Sequence, residues 1–307
     1  MKSVKTPSKP LPIIAGPTAC GKTSLAISLF GDAAYTAVSA DSMQVYKYMD
    51  IGTAKPDAEE CRLLPHELIS IKNPDETYSA GAFFRDAQHA IDAIEAEGRR
   101  ACVVGGTGLY IKALVQGFFD GPPADAVLRE QFNADEKDEP GVLYRRLSEV
   151  DPESAAVLHP HDAVRIMRAL EVFTLCGKSI VTLRKEADRV PVRDFRIAGI
   201  IRDRDILAGR IVSRVKAMFA MGFPEEVREL LRMGYDTALP AFRGLGYQHC
   251  FAYLHGRLSR EDAIQAIAAE TRAFASRQIK LFKQISGLVW FHADDEDGLR
   301  EYFSACL

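Results

Sequence analysis

No stretch of the chain approaches the length of a membrane span, and the first twelve residues, with three lysines and three prolines, hold no apolar h-region. The expectation is a cytoplasmic protein without membrane contact. A C-x-x-C pair and a Cys/His cluster are both missing. The six cysteines stand apart at positions 20, 61, 102, 176, 250 and 306, which argues against a disulfide framework or a zinc site. Cys102 and Cys250 read as small buried hydrophobes. There is no internal repeat, no low-complexity tract and no extended apolar surface stripe, so a monomer is expected. A strong charge of one sign is also lacking. The net charge of −3 argues against a general nucleic-acid binder. Between Arg196 and Lys283, however, fifteen Lys/Arg face nine Asp/Glu, a local net of +6 that leaves −9 elsewhere. That asymmetry suits either a basic face for a site-restricted RNA partner or a solvated basic helical surface. At 307 residues, with 47% apolar and 26% charged residues, the chain is long enough for one large domain plus an insertion.

The most specific pattern present is GPTACGKT, Gly16 to Thr23, which fits the phosphate-binding loop G-x-x-x-x-G-K-[ST] in full. An apolar run, Leu11 to Ala15, reads as a buried strand before it, and Ser24 to Phe30 reads as the start of a helix after it. Glycines let backbone N–H groups turn toward phosphate oxygens, Lys22 adds a point charge, Thr23 offers a hydroxyl to Mg²⁺, and the helix N-terminus adds partial positive charge. The candidate set is Gly16, Pro17, Thr18, Ala19, Cys20, Gly21, Lys22 and Thr23. Cys20 sits inside the loop and is read as structural.

Strand patterns at Tyr35 to Ser39, His66 to Ile71 and Ala101 to Gly105, with a helical pattern from Ser79 to Glu97, give a βα alternation. This predicts an α/β fold, a parallel sheet of the P-loop NTPase type flanked by helices, with ligands beyond the carboxyl ends of the strands. A break comes at Gly121-Pro122-Pro123. Asp125 to Ala187 then reads as helical, interrupted by turns at Asp138-Glu139-Pro140-Gly141 and His159-Pro160. Phe195 to Ile201 resumes a strand, helices follow at about 204–221, 224–233, 241–255 and 260–285, and Leu288 to His292 is strand-like. The predicted organisation is a core domain of residues 1–121 and 192–307, with a helical C-terminal part, and a helical insertion of residues 122–191.

Asp41 lies one residue beyond the second strand pattern. A carboxylate there serves a small-molecule kinase, as a ligand of Mg²⁺ or a base toward the acceptor hydroxyl; in a group transferase it takes a proton from another nucleophile; a plain cap is the third reading. A nucleoside triphosphatase commonly ends its following apolar strand in Asp. Here ACVVGGTGLY ends in Gly-Gly-Thr-Gly and presents backbone and one hydroxyl, Thr107. The glycines suit a tight turn or a ligand lying against the main chain.

The run DSMQVYKYMDIGTAKP, Asp41 to Pro56, with GPTACGKT before it and GGTGLYIKAL after it, closely resembles the tRNA dimethylallyltransferases, also called tRNA isopentenyltransferases. YSAGAFFRDA, LHPHDAVRIMRALEV, RVKAMFAMGFPEEV, FRGLGYQ and TRAFASRQIK follow in family order, so the resemblance covers nearly the whole chain. It implies transfer of a dimethylallyl group from dimethylallyl diphosphate to the exocyclic amine of the adenine just 3′ of a tRNA anticodon, in tRNAs reading codons that begin with U. The phosphate loop would then hold diphosphate. By the resemblance, Asp41 would hold the amine and act as base, Thr107 would hydrogen-bond near the reacting centre, and Lys22, Thr23 and Arg214 would hold the diphosphate and its Mg²⁺. Arg129 would stand at the mouth of the site, and Ser42, Met43 and Gln44 would line the base pocket. The insertion would clamp the anticodon stem-loop through Val164, Arg165, Ile166, Met167 and Arg168; the alternative for the two arginines is a solvated face. Arg272, Arg277 and Lys280 on the last long helix would meet tRNA phosphates.

The chain departs from the family pattern at Cys20, where Ser is usual, at Gln248 and Ser276, where a basic residue is more frequent, and in the acidic run Asp135 to Glu139. Two other activities share some of these features. A free adenine-nucleotide isopentenyltransferase would not need the helical insertion, and a P-loop small-molecule kinase would want the missing strand-end Asp.

Overall fold

The computed structural model describes residues 9–31, 34–117, 121–186 and 193–306. The chain divides into two compact units, Met1–Gln116 with Pro191–Leu307, and Gly117–Val190. The first begins with β1 (Leu11–Ala15), α1 (Lys22–Phe30), β2 (Tyr35–Ala40), α2 (Ala58–Leu63), β3 (His66–Glu67), α3 (Ala80–Ala96), β4 (Arg100–Gly105) and α4 (Gly108–Gln116). The second carries α5 (Ala126–Asp138), α6 (Val142–Val150), α7 (Pro152–Ala155), α8 (Ala163–Cys176) and α9 (Ile180–Glu186). The first unit then resumes with β5 (Phe195–Ile201), α10 (Arg204–Ala220), α11 (Phe223–Arg232), a 3-10 turn (Pro240–Arg243), α12 (Tyr247–Leu254), α13 (Arg260–Phe282), β6 (Leu288–His292) and α14 (Glu296–Phe303).

The described strands form one parallel sheet in the order β3-β2-β4-β1-β5-β6. Alternate residues face opposite sides. Ile14, Val104, Ala198 and Ile200 join a core with Phe30, Ile211, Val215 and Phe219, while Ile13, Val103 and Ile197 join another with Phe83, Ile91, Ile111 and Leu114. Burial on both faces explains why these strands read as continuous apolar runs and not as alternating ones. Since β1 lies between β4 and β5 and β2 pairs with β4, the carboxyl ends of four neighbouring strands open on one crevice.

Two boundaries depart from the sequence pattern. The run from His66 to Ile71 pairs only at His66–Glu67, because Leu68 (φ 62°) and Ser70 (φ 53°) adopt left-handed backbone that a strand cannot continue. The expected helix at 241–255 is a 3-10 turn followed by α12, separated at Gly246 with φ 90°.

The second unit folds α5 to α9 around its own core, which includes Phe132, Leu143, Leu147, Ile166, Leu170 and Ile180. The acidic run has a local use here. Glu136 accepts from the N–H groups of Gly141 (2.8 Å) and Leu143 (3.1 Å) at the start of α6, Asp135 pairs with Arg146 at 2.5 Å, and Glu139 pairs with Arg145. The chain crossing expected near residue 192 lies outside the described residues.

Glu171, fully buried, fastens α5 to α8. It accepts from Arg129 Nε at 2.7 Å and Nη2 at 2.8 Å, from Arg168 Nη1 at 2.5 Å and from Asp125 N at 2.9 Å. Burial alone would raise its pKa, but the hydrogen bonds from Arg129, Arg168 and the Asp125 N–H outweigh it and lower the carboxyl to about 2. A folded-state pKa below the unfolded value contributes stability above the ordinary Glu range, and that stability is lost as pH falls from there toward 2. Glu171→Ala leaves two guanidinium groups without their acceptor and is expected to cost the insertion about 3–5 kcal/mol at pH 7. Thermal unfolding of both proteins at pH 7 and pH 3 checks this: the gap should narrow at pH 3, and an unchanged melting profile at pH 7 would remove Glu171 from this role.

Candidate active site

The turn between β1 and α1 is built around two left-handed residues, Ala19 (φ 64°) and Gly21 (φ 103°). Gly21 precedes α1 and offers no side-chain cap, and the first turn of that helix carries no acidic residue. The uncapped N–H groups and the positive end of the helix dipole suit an anion. Lys22 crosses the loop to donate to the Pro17 carbonyl at 2.9 Å.

Three arginines hold three consecutive loop residues. Arg214 Nη1 reaches Thr18 Oγ1 at 3.4 Å, Arg210 Nε donates to the Ala19 carbonyl at 2.9 Å, and Arg202 Nε donates to the Cys20 carbonyl at 2.8 Å. Arg210 and Arg214 are four residues apart on α10, hence on one face, and Arg202 leaves the end of β5. Burial lowers the Arg214 pKa; Cys20 opposes this, Arg210 adds to it, and the Asp41 carboxylate opposes it.

Asp41 follows β2 directly. Its Oδ1 accepts from Met43 N at 2.9 Å and Gln44 N at 3.4 Å, while Oδ2 has no hydrogen-bond partner among the described residues. Beside it, Thr107 N donates to the Ala40 carbonyl at 3.0 Å, and Thr107 Oγ1 accepts from Ser42 N at 2.9 Å and donates to Ser42 Oγ at 3.2 Å. Gln44 is held at both ends, by Ser39 Oγ at 3.0 Å and the Ala54 carbonyl at 3.1 Å. The glycines before Thr107 admit protein and not open space. A Cβ at Gly105 would stand 2.2 Å from the Ala40 carbonyl, and one at Gly106 would stand 2.7 Å from Gln278 Nε2.

These groups line one cleft of about 1070 Å³, which takes in Thr18, Lys22, Thr23, Asp41, Thr107 and Arg214, along with Ser42, Met43 and Gln44. Arg277 of α13 lines it too, with its guanidinium 5.7 Å from the Phe274 ring, and Arg272 and Lys280 are exposed on the same helix. The remaining expected residues belong to the second unit. Val164 and Arg165 are exposed there, at 81% and 74%. Ile166 is instead part of that unit's core, so its apolar side chain is spent on packing. Arg129 and Arg168 are both engaged with Glu171, and Arg168 also donates to the Pro122 carbonyl at 2.8 Å.

The sequence matches the IPP transferase family over residues 44–285. This chain belongs to that family. It is 42% identical to the tRNA dimethylallyltransferase of Thermotoga petrophila over 288 residues, 93% of each chain. A tRNA isopentenylpyrophosphate transferase structure from Bacillus halodurans matches at a TM-score of 0.71 with 33% identity, covering 97% of this chain and 96% of that one. A eukaryotic dimethylallyltransferase captured acting on tRNA matches at a TM-score of 0.80 with 26% identity, covering 97% of this chain and 77% of that one. The resemblance read from the motifs and the P-loop-like parallel sheet expected from the βα alternation both hold.

Several residues that shape this IPP transferase cleft lie inside the quoted family blocks but were given no role in the sequence reading. Glu226 accepts from three successive N–H groups, Asp50 at 2.8 Å, Ile51 at 2.6 Å and Gly52 at 3.1 Å, and from Tyr247 Oη at 2.8 Å. Lys55, with only 5% of its side chain exposed, donates to the Tyr46 carbonyl at 2.7 Å, to Asp50 at 2.5 Å and to Ser70 Oγ at 2.8 Å. Together they pin the loop that carries Ser42 to Gln44. Gln248, where the family favours a basic residue, donates to the Thr237 carbonyl at 2.9 Å and the Phe242 carbonyl at 3.3 Å. The available signal for Arg210 was its spacing from Arg214; for Gln278 it was a polar residue on the apolar stripe of α13.

Proposed function

We propose that this chain transfers the dimethylallyl group of dimethylallyl diphosphate to the exocyclic N6 amine of the adenosine 3′-adjacent to the anticodon, in tRNAs reading codons that start with U. The observation that carries the reading is the cleft itself, which is lined by a phosphate loop, its arginine and a carboxylate, Asp41, one oxygen of which has no hydrogen-bond partner among the described residues. In the reaction N6 attacks C1 of the allylic group as the C1–O bond to diphosphate breaks. The diphosphate leaves with the bonding electron pair, and the amine proton passes to Asp41. Lys22, Arg214 and the N-terminus of α1 hold the leaving group as its charge grows. Thr107, tied to Ser42, orients the acceptor.

Among the described residues no group of three or more His, Cys, Asp or Glu is arranged to hold a metal. The cleft offers the Thr23 hydroxyl beside the phosphate loop, a sparse oxygen set that fits Mg²⁺, which keeps several waters and completes its shell with phosphate oxygens. When bound, the ion would neutralise part of the diphosphate charge. Among the described residues no helix is long and apolar enough to cross a membrane. The proposed enzyme is cytoplasmic and monomeric. The insertion would clamp the anticodon arm, with exposed Arg165 and Val164 toward the RNA, while Arg272, Arg277 and Lys280 meet phosphates. An adenine stacked in the loop must be extruded to reach Asp41.

Incubation with labelled dimethylallyl diphosphate and either tRNA or AMP tests the proposal. Label should enter tRNA; incorporation into AMP alone would move the function to free nucleotides. ATP is expected to inhibit only by competing for the phosphate loop, and steady phosphoryl transfer from ATP would favour the kinase reading.

A further inference from the structure

Gln278 is 6% exposed, on the buried stripe of α13 that also carries Thr271, Ala275 and Phe282. Its single amide makes two bonds to distant parts of the chain. Oε1 accepts from Thr18 N at 2.9 Å, and Nε2 donates to the Gly106 carbonyl at 2.7 Å. One side chain thus ties the phosphate loop after β1 to the glycine turn after β4. Lys22 approaches the same turn: a Cβ on Gly106 would fall 2.7 Å from Gln278 Nε2 and 3.7 Å from Lys22 Nζ.

We infer that Gln278 is a positioning residue for the donor, setting the separation between the loop that holds the diphosphate and the turn that presents Thr107. The inference rests on the reading that the phosphate loop holds the diphosphate of the donor. The chemistry favours an amide at this point. A planar amide accepts on one atom and donates on the other, a carboxylate only accepts, and a thioether fills the space with neither strong bond. Thr18, whose N–H Gln278 receives, is also the residue whose hydroxyl meets Arg214. Release of Thr18 N would free the loop to drift from Arg214, and release of the Gly106 carbonyl would loosen the turn one residue before Thr107.

The test compares the full chain with Gln278→Met, Gln278→Glu and Gly106→Ala. Gly106→Ala displaces the amide from the opposite side and keeps the proposal testable should either Gln278 variant fail to fold. The Kd of inorganic pyrophosphate with Mg²⁺, the KM for dimethylallyl diphosphate, kcat and the Kd for tRNA are measured for each. Gln278→Met is expected to raise the pyrophosphate Kd and the donor KM together by roughly ten-fold, with the tRNA Kd unchanged. Gln278→Glu should raise them further, because its carboxylate adds negative charge beside the phosphate loop and cannot donate to Gly106. Gly106→Ala should reproduce the donor defect with Gln278 in place. Unchanged pyrophosphate Kd and donor KM in folded Gln278→Met, or in Gly106→Ala, would overturn the role and leave Gln278 a packing residue. A wild-type chain that neither binds pyrophosphate nor transfers the prenyl group would overturn the functional reading, and this role with it.

Discussion

Asp41→Ala is expected to lower the single-turnover transfer rate by about 10²–10⁴-fold, the usual contribution of a positioned general base. Binding of tRNA should change little. The reason is geometric: Oδ1 is occupied by the N–H groups of Met43 and Gln44, so the oxygen without a partner among the described residues, Oδ2, is the one to take a proton. The loss therefore belongs in kcat and kcat/KM alike, the mark of an interaction made in the transition state. Thr107→Ala should lose less, because a neutral hydroxyl tied to Ser42 is removed and no charge. Rapid-quench measurement with saturating donor and tRNA decides the matter, and an unchanged rate in Asp41→Ala would end its assignment as base.

Arg214→Ala should weaken binding of the donor and of inorganic pyrophosphate by roughly 10–100-fold, the size of a lost hydrogen bond to a charged group of about 1.5–3 kcal/mol. Arg214 is desolvated, sits beside Arg210 and meets Thr18 on the loop. Its charge is therefore screened less than a surface charge would be. Lys22→Ala should act on the same oxygens and give a defect of the same kind. Titration calorimetry with pyrophosphate and Mg²⁺ provides the check. A donor affinity unmoved by Arg214→Ala would place the diphosphate somewhere other than this loop.

Much of the fold was legible because parallel strands buried on both faces and helices with one apolar face leave periodic traces in a short window. The strand limits at Leu11–Ala15, Phe195–Ile201 and Leu288–His292 coincide with the apolar runs, and Ser79 marks the N-cap of α3, accepting from Ala82 N at 3.1 Å. The misread segment after His66 failed for a local reason: its composition suits a strand, but the left-handed backbone at Leu68 and Ser70 is imposed by the neighbouring loop, which Ser70 N and Ile71 N join through the carbonyls of Gln44 and Val45 at 3.0 and 2.8 Å. The phosphate loop, Asp41 and Thr107 were legible because each follows a strand, and a parallel sheet gathers strand ends whatever their order.

The sequence by itself determined the chemistry on offer: a loop able to hold a polyphosphate, a carboxylate and a hydroxyl at two other strand ends, and the blocks that mark the family. Only the tertiary structure decided which side chains hold those groups still and which merely lie near them in the chain. Gln278 meets a loop 260 residues earlier, Arg202 and Arg210 hold the carbonyls of Cys20 and Ala19, and Glu226 gathers the N–H groups of residues 50–52. Conversely, Arg168 and Ile166, adjacent to exposed residues in an expected RNA-contacting run, serve Glu171 and the core of their own unit. A hydrogen bond acts over about 3 Å of space and is indifferent to sequence separation, so partners of this kind leave no periodic signal and emerge only when the chain has folded.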